Sequence, residues 1–194
     1  MLPVNPPTRN RAYLNILVLY CRKKYILSFV KPLITFIDCY GDLDTLIIMV
    51  FISHRGNVNG ANPGRENSPD YINEALAQNY HVEIDVWYKD DGFWLGHDKP
   101  QYATVEAFLE NEKLWCHAKN LPALEKMLEN KKIHCFWHQE DDLTLTAKNI
   151  MWTYPGKELT PQSVCVMPEL QGIKSRTELP KCFGICSDFI SNFK

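Results

Sequence analysis

From position 49 onward the chain alternates short apolar runs with turn-forming segments. Runs of four to six residues at 50–54, 82–87, 93–96, 114–118, 134–137, 150–154, 163–167 and 184–187 have the length and composition of strands. Helix signals lie between several of them. Ser68-Pro69 joins a capping hydroxyl to a proline at the first helical position, and Tyr71, Ile72, Ala75 and Leu76 then share one face. A second helix is predicted over 105–113. A third is predicted over 121–130, capped by Asn120, with Leu121, Leu124, Met127 and Leu128 facing inward. Lys89-Asp90-Asp91-Gly92 reads as a tight turn, so 82–87 and 93–96 are expected to pair as a hairpin. Strands alternating with helices predict an α/β fold, a parallel sheet covered by helices.

Residues 1–48 break this pattern. Their apolar runs, 13–20 and 25–30, are interrupted by Arg22, Lys23, Lys24 and Lys31. Neither reaches the roughly 20 residues a membrane span needs, so no stable membrane insertion is expected. Basic residues flanking short apolar stretches also fit a signal peptide or signal anchor. The expected organisation is an N-terminal extension over 1–48 and a self-sufficient domain over 49–194.

Composition changes this picture little. With 45% hydrophobic and 23% charged residues the chain belongs with globular domains. The net charge is −2 and no basic run occurs, which removes electrostatic support for nucleic-acid binding. The seven cysteines are odd in number and scattered, and Cys116, Cys135, Cys165 and Cys186 fall within apolar runs. They read as small buried hydrophobes, which points to a reducing compartment and a cytoplasmic location.

The chemistry concentrates near strand ends. In "VEIDVW", alternation places Glu83, Asp85 and Trp87 on one face and Val82, Ile84 and Val86 on the other. Paired carboxylates on a covered strand are costly without a counter-charge, and a divalent cation supplies one. His54 ends the first strand, followed by Arg55, whose planar fork suits a phosphate, and by Gly56, which permits a sharp turn. His97 ends the hairpin return, and Lys119 shares a strand face with His117 and Trp115. Two histidines flanking a carboxylate pair offer an acid, a base and a cation site, a set suited to phosphodiester cleavage.

The order His54-Arg55-Gly56, Glu66-Asn67, Glu83-x-Asp85, His97-Asp98 and a strand ending in Lys119 resembles the glycerophosphodiester phosphodiesterase family, TIM-barrel enzymes related to phospholipases C. The resemblance is most specific over 51–98, looser beyond, and does not cover 1–48. It implies that His54 and His97 are the acid/base pair and that Arg55 and Lys119 bind phosphate, with Glu66 supporting them. It also implies that Glu83 and Asp85 ligate one divalent cation, Mg²⁺ or Ca²⁺. His117 stands where the family usually has a third ligating Glu. As an imidazole ligand it suits Mn²⁺ or Zn²⁺ better, and Glu140 and Glu169 are alternative third ligands. The implied fold is a reduced (β/α) barrel of seven to eight strands with minimal helices, because the stretch after Met49 is well short of the about 250 residues typical of a TIM barrel. The implied activity is metal-dependent hydrolysis of a glycerophosphodiester or similar small diester. The alternative is a catalytically silent phosphate or headgroup binding module.

Overall fold

The computed structural model describes the backbone of Ile26–Val30, Leu33–Ile37 and Leu43–Thr45 and the whole of residues 49–194. The chain divides into two compact units, Met1–Ile47 and Ile48–Lys194. The first contains three short strands, β1 (Ile26–Val30), β2 (Leu33–Ile37) and β3 (Leu43–Thr45), paired antiparallel in that order. The apolar run at 13–20, and most of the stretch read above as a signal or anchor, lie outside the described residues. Among the described residues no helix is long and apolar enough to cross a membrane.

The second unit is built on ten strands. They are β4 (Val50–His54), β5 (His81–Lys89), β6 (Gly92–Leu95), β7 (Tyr102–Thr104), β8 (Leu114–Ala118), β9 (Cys135–Phe136), β10 (Leu143–Leu145), β11 (Met151–Thr153), β12 (Ser163–Val166) and β13 (Gly184–Ser187). Seven of them run parallel in the spatial order β9-β8-β5-β4-β13-β12-β11. β6, β7 and β10 are antiparallel additions.

The expected (β/α) barrel is not what forms. The sheet is mixed and curled into a half-barrel, and only three helices accompany it. These are α1 (Pro69–Ala77), the single turn α2 (Glu106–Leu109) and α3 (Leu121–Glu129). The physical reason lies in the connections. After α3 the links between strands carry only short 3-10 turns, at Pro168–Gln171 and Arg176–Glu178, in place of crossover helices. A crossover helix needs a longer segment with an apolar stripe.

Local signals hold where they are strong. Ser68 Oγ accepts from Tyr71 N, and Asn120 Oδ1 accepts from Ala123 N at 3.1 Å, so both helices carry the expected caps. Asp90 and Asp91 take φ values of 52° and 57° between the paired Lys89 and Gly92, the left-handed pair that a two-residue hairpin turn requires. The inward face of α3 is narrower than predicted: Ala123 and Met127 are buried, whereas Leu121 and Leu128 are exposed. Both leucines lie beyond half-buried Leu124, at the edge of a stripe centred on Ala123 and Met127.

Two apolar layers result. On the convex side α1 and α3 pack against Val82, Ile84, Val86, Leu114 and Cys116. On the concave side Ile52, Trp115, Phe136, Trp152, Val164 and Cys186 form a smaller cluster. The concave face therefore has an aromatic floor, and the carboxyl ends of the parallel strands form its mouth.

Candidate functional site

His54, Arg55, Glu66, Glu83, Asp85, His117 and Lys119 come together at the mouth, and His97 lines a cavity with the first three. β4 ends in His54, and β13 is its parallel neighbour. That pairing brings His54 Nδ1 to 2.8 Å from Asp188 Oδ1, just past β13. An ionised carboxylate only accepts, so Nδ1 carries the proton and Nε2 faces the interior, 3.8 Å from Glu83 Oε2. Burial pushes the imidazole down, but the bond to Asp188 and the charge of Glu83 overcome it and leave it above its ordinary value.

The turn after β4 is tightly specified. Gly56 has φ +95°, and a Cβ there would lie 2.7 Å from the Tyr71 ring. Arg55 is itself left-handed, with φ 55°. Its guanidinium donates to Glu66 Oε2 at 3.2 Å, and its Nε lies 3.0 Å from Asp85 Oδ2 without aiming its hydrogen there. Burial opposes its charge, and Asp85, Glu83 and Glu66 together raise its pKa further. Glu66 therefore holds Arg55 and does not point a free oxygen at a ligand: its other oxygen accepts from Asn57 at 2.9 Å. Asn67 and Asp85 exchange two bonds, Asn67 Nδ2 to Asp85 Oδ2 at 2.9 Å and Asp85 N to Asn67 Oδ1 at 2.8 Å.

Glu83, Asp85 and His117 form the centre. β5 and β8 pair in parallel with Asp85 opposite His117. One ligand atom from each of the three lies within 4.8 Å of the others. Both carboxylates are buried, and Glu83 Oε2 and Asp85 Oδ1 receive no hydrogen bond. The His117 ring stacks on Phe136, 5.1 Å between centroids, and its Nε2 donates to the His138 carbonyl at 2.9 Å. Nδ1 is thereby left facing Asp85 Oδ1 at 3.3 Å and Glu83 Oε1 at 3.7 Å. Burial lowers the His117 pKa, but these two acids raise it to about 9. Burial would raise the Asp85 carboxyl, yet His117, Arg55 and Lys119 hold it well below the usual carboxylate range. Lys119 Nζ is 3.4 Å from Asp85 Oδ1.

The donor set fits a divalent cation. Two buried carboxylate oxygens lack donors, and an imidazole presents the correct nitrogen. The mixed oxygen and nitrogen set excludes neither Mg²⁺ nor Mn²⁺ or Zn²⁺. Binding there requires loss of the Nδ1 proton, for which the cation would substitute.

His97 arrives by a different route. β6 returns from the hairpin on the β4 side of β5, and the loop beyond it is pinned by Gly96 N to Asp85 O at 3.1 Å and by Trp87 Nε1 to Gly96 O at 2.6 Å. Gly96 has φ +144°, and a Cβ would meet Lys99 O at 2.2 Å, so only glycine fits. His97 then lines one cavity of about 460 Å³ with His54, Arg55, Glu66, Asn67 and Asp188. Its Nδ1 lies 2.7 Å from Asp98 Oδ1, much as His54 Nδ1 lies 2.8 Å from Asp188 Oδ1, so each Nε2 is left free.

Glu140 and Glu169, the alternative third ligands, stay out of the cluster. Glu169 turns to Ser187 Oγ at 2.8 Å and Asp188 N at 2.9 Å. The sequence offered Glu169 only as a metal ligand and assigned no role to Asn57. Ser187-Asp188 resembled the end of the family's final strand, but nothing local paired Asp188 with His54. Comparison with family models, curated proteins and solved structures finds no match for this chain.

Proposed function

We propose that the protein is a metal-dependent phosphodiesterase acting on a glycerophosphodiester or a similar small diester. The observation that supports this most is the meeting, at one strand-end mouth, of two carboxylate-anchored imidazoles, a guanidinium and a Glu83-Asp85-His117 cluster whose two carboxylates are buried. Arg55 and Lys119 bind the anionic phosphoryl oxygens. Glu83, Asp85 and His117 would hold a divalent cation, which when bound would supply positive charge against the negative charge that builds up on the phosphoryl oxygens. His54, with Asp188 stabilising its imidazolium, takes a proton at Nε2 from the attacking water. The new O–P bond forms as the bond to the leaving alcohol breaks. His97, on the open rim, protonates the departing alkoxide, giving a phosphomonoester and an alcohol.

The test is a metal-by-substrate screen of the purified protein on a chromogenic phosphodiester and on glycerophosphodiesters. Turnover that is lost on chelation and restored by added metal is expected. Phosphate-ester binding without turnover under every metal would replace this reading with the binding-module one.

A further inference from the structure

We infer that Asn57 is a positioning residue: its amide sets the direction of the His54–Asp188 pair and ties that pair to the Glu66–Arg55 pair. The inference rests on the reading of His54 as the proton carrier.

Asn57 is fully buried, yet both of its amide hydrogens and its carbonyl oxygen are hydrogen-bonded. Its two Nδ2 hydrogens go to two different carboxylates, Glu66 Oε1 at 2.9 Å and Asp188 Oδ1 at 2.8 Å. Its Oδ1 accepts from Asn62 N at 3.0 Å, which folds the following loop back over it. Its own backbone N donates to His54 O at 2.8 Å, so it is anchored to the strand that carries His54.

The consequence follows from which oxygen it touches. Asp188 Oδ1 receives both Asn57 Nδ2 and His54 Nδ1. A carboxylate turns easily about its last bond. Two donors converging on one oxygen, with the Asp188 backbone N held by Glu169, leave it one orientation. The His54 ring is then fixed with Nε2 inward. The same amide separates Glu66 and Asp188, two acids that would otherwise face each other without a shared donor. An aspartate here would have no proton to give, and a serine only one. The site asks for a short side chain with two donors and one acceptor, and asparagine is that side chain.

The experiment has two independent arms. In the first, kcat and KM are measured on a chromogenic phosphodiester with metal. Asn57→Ala is expected to lower kcat by about 10–100-fold with KM little changed, the usual cost of losing an orienting partner. In an Asp188→Asn background the same change should cost less than about threefold, because the two act through one contact. A full, additive loss in that background would overturn the inference. The second arm needs no activity. The His54 Nδ1 proton is identified by NMR in the full chain through its disappearance in His54→Gln. Asn57→Ser, which keeps a small polar group should the alanine variant fail to fold, is expected to shift or broaden that resonance and leave His97 untouched. An unchanged resonance in a folded Asn57→Ser protein would refute the role. A shifted resonance in a protein with no turnover would support the positioning role while defeating the phosphodiesterase reading.

Discussion

The concave face carries histidines at both of its ends, and the two ends treat them in opposite ways. On the floor, His81 Nδ1 accepts from Trp115 Nε1 at 3.2 Å, and the His134 ring lies 4.2 Å from that of Trp115. Burial, helped by the charges of Lys113 and Lys148, drives His81 to about 4, and burial with Lys148 drives His134 to about 3. At the mouth His54 is raised and His117 reaches about 9. Burial pushes all four down. What reverses it at the mouth is carboxylate contact, Asp188 for His54 and Asp85 with Glu83 for His117. His138 supports the distinction: it stands at the mouth, burial and the charge of His117 lower it, and no acid holds its ring. Register therefore decides the charge of a histidine here, since Glu83 and Asp85 rise from the same strand face as His81.

The comparison can be broken most severely at the mouth. His54→Ala and His97→Ala are each expected to reduce metal-dependent turnover by about 10²–10⁴-fold while leaving the fold intact. A loss below about tenfold at either position, measured on a folded variant, would remove that residue from proton transfer.

Asp85→Asn comes next. Alternation alone suggests that relieving Glu83–Asp85 repulsion would stabilise the metal-free protein. The structure reverses the sign, because Asp85 contacts Arg55, His117 and Lys119. Removing the acid takes from Lys119 its one carboxylate contact and from Arg55 and His117 one of two, and breaking such a buried set typically costs about 3–5 kcal/mol. Denaturant midpoints should fall, and metal-dependent turnover should vanish with them. Undiminished metal-dependent turnover would overturn the site assignment.

The floor gives a milder, pH-dependent effect. His81 and His134 titrate near 6.5 when unfolded and at about 4 and about 3 when folded, so below 6.5 the unfolded chain binds more protons. Their contribution to stability is fully present above about 6.5 and drains away as pH falls toward 4 and 3. His134→Phe should flatten that decline in thermal melts recorded from pH 7 to pH 4, with turnover at pH 7.5 nearly unchanged. An unaltered slope would assign the acid sensitivity elsewhere.

The smallest effect concerns metal choice. His117→Glu replaces a nitrogen ligand with oxygen and should move activation toward Mg²⁺ or Ca²⁺ and away from Zn²⁺. An unchanged metal series would place His117 outside the ligand set.

Much of this was legible in the chain. The strand at Val50–His54, the caps Ser68 and Asn120, the turn at Asp90-Asp91 and the shared face of Glu83 and Asp85 all depend on neighbours a few residues apart. The errors came where distant packing decides. β7 and β10 are only three residues long, too short to show a periodicity, and each is a strand by its pairing with β6 or β11. The helix expected over 105–113 stops after one turn, and the (β/α) barrel gives way to a half-barrel because the later connections hold no crossover helix.

The sequence by itself determined which side chains stand at strand ends and which face each one takes, because backbone periodicity is local. Only the tertiary structure decided what those side chains do to one another. His54 meets Asp188 across 134 positions, and Asn57 meets it across 131. His117 presents Nδ1 only because the His138 carbonyl occupies Nε2. Such pairings follow from which strands lie side by side, and that order is fixed by the burial of whole faces of the sheet, not by any residue's immediate neighbours.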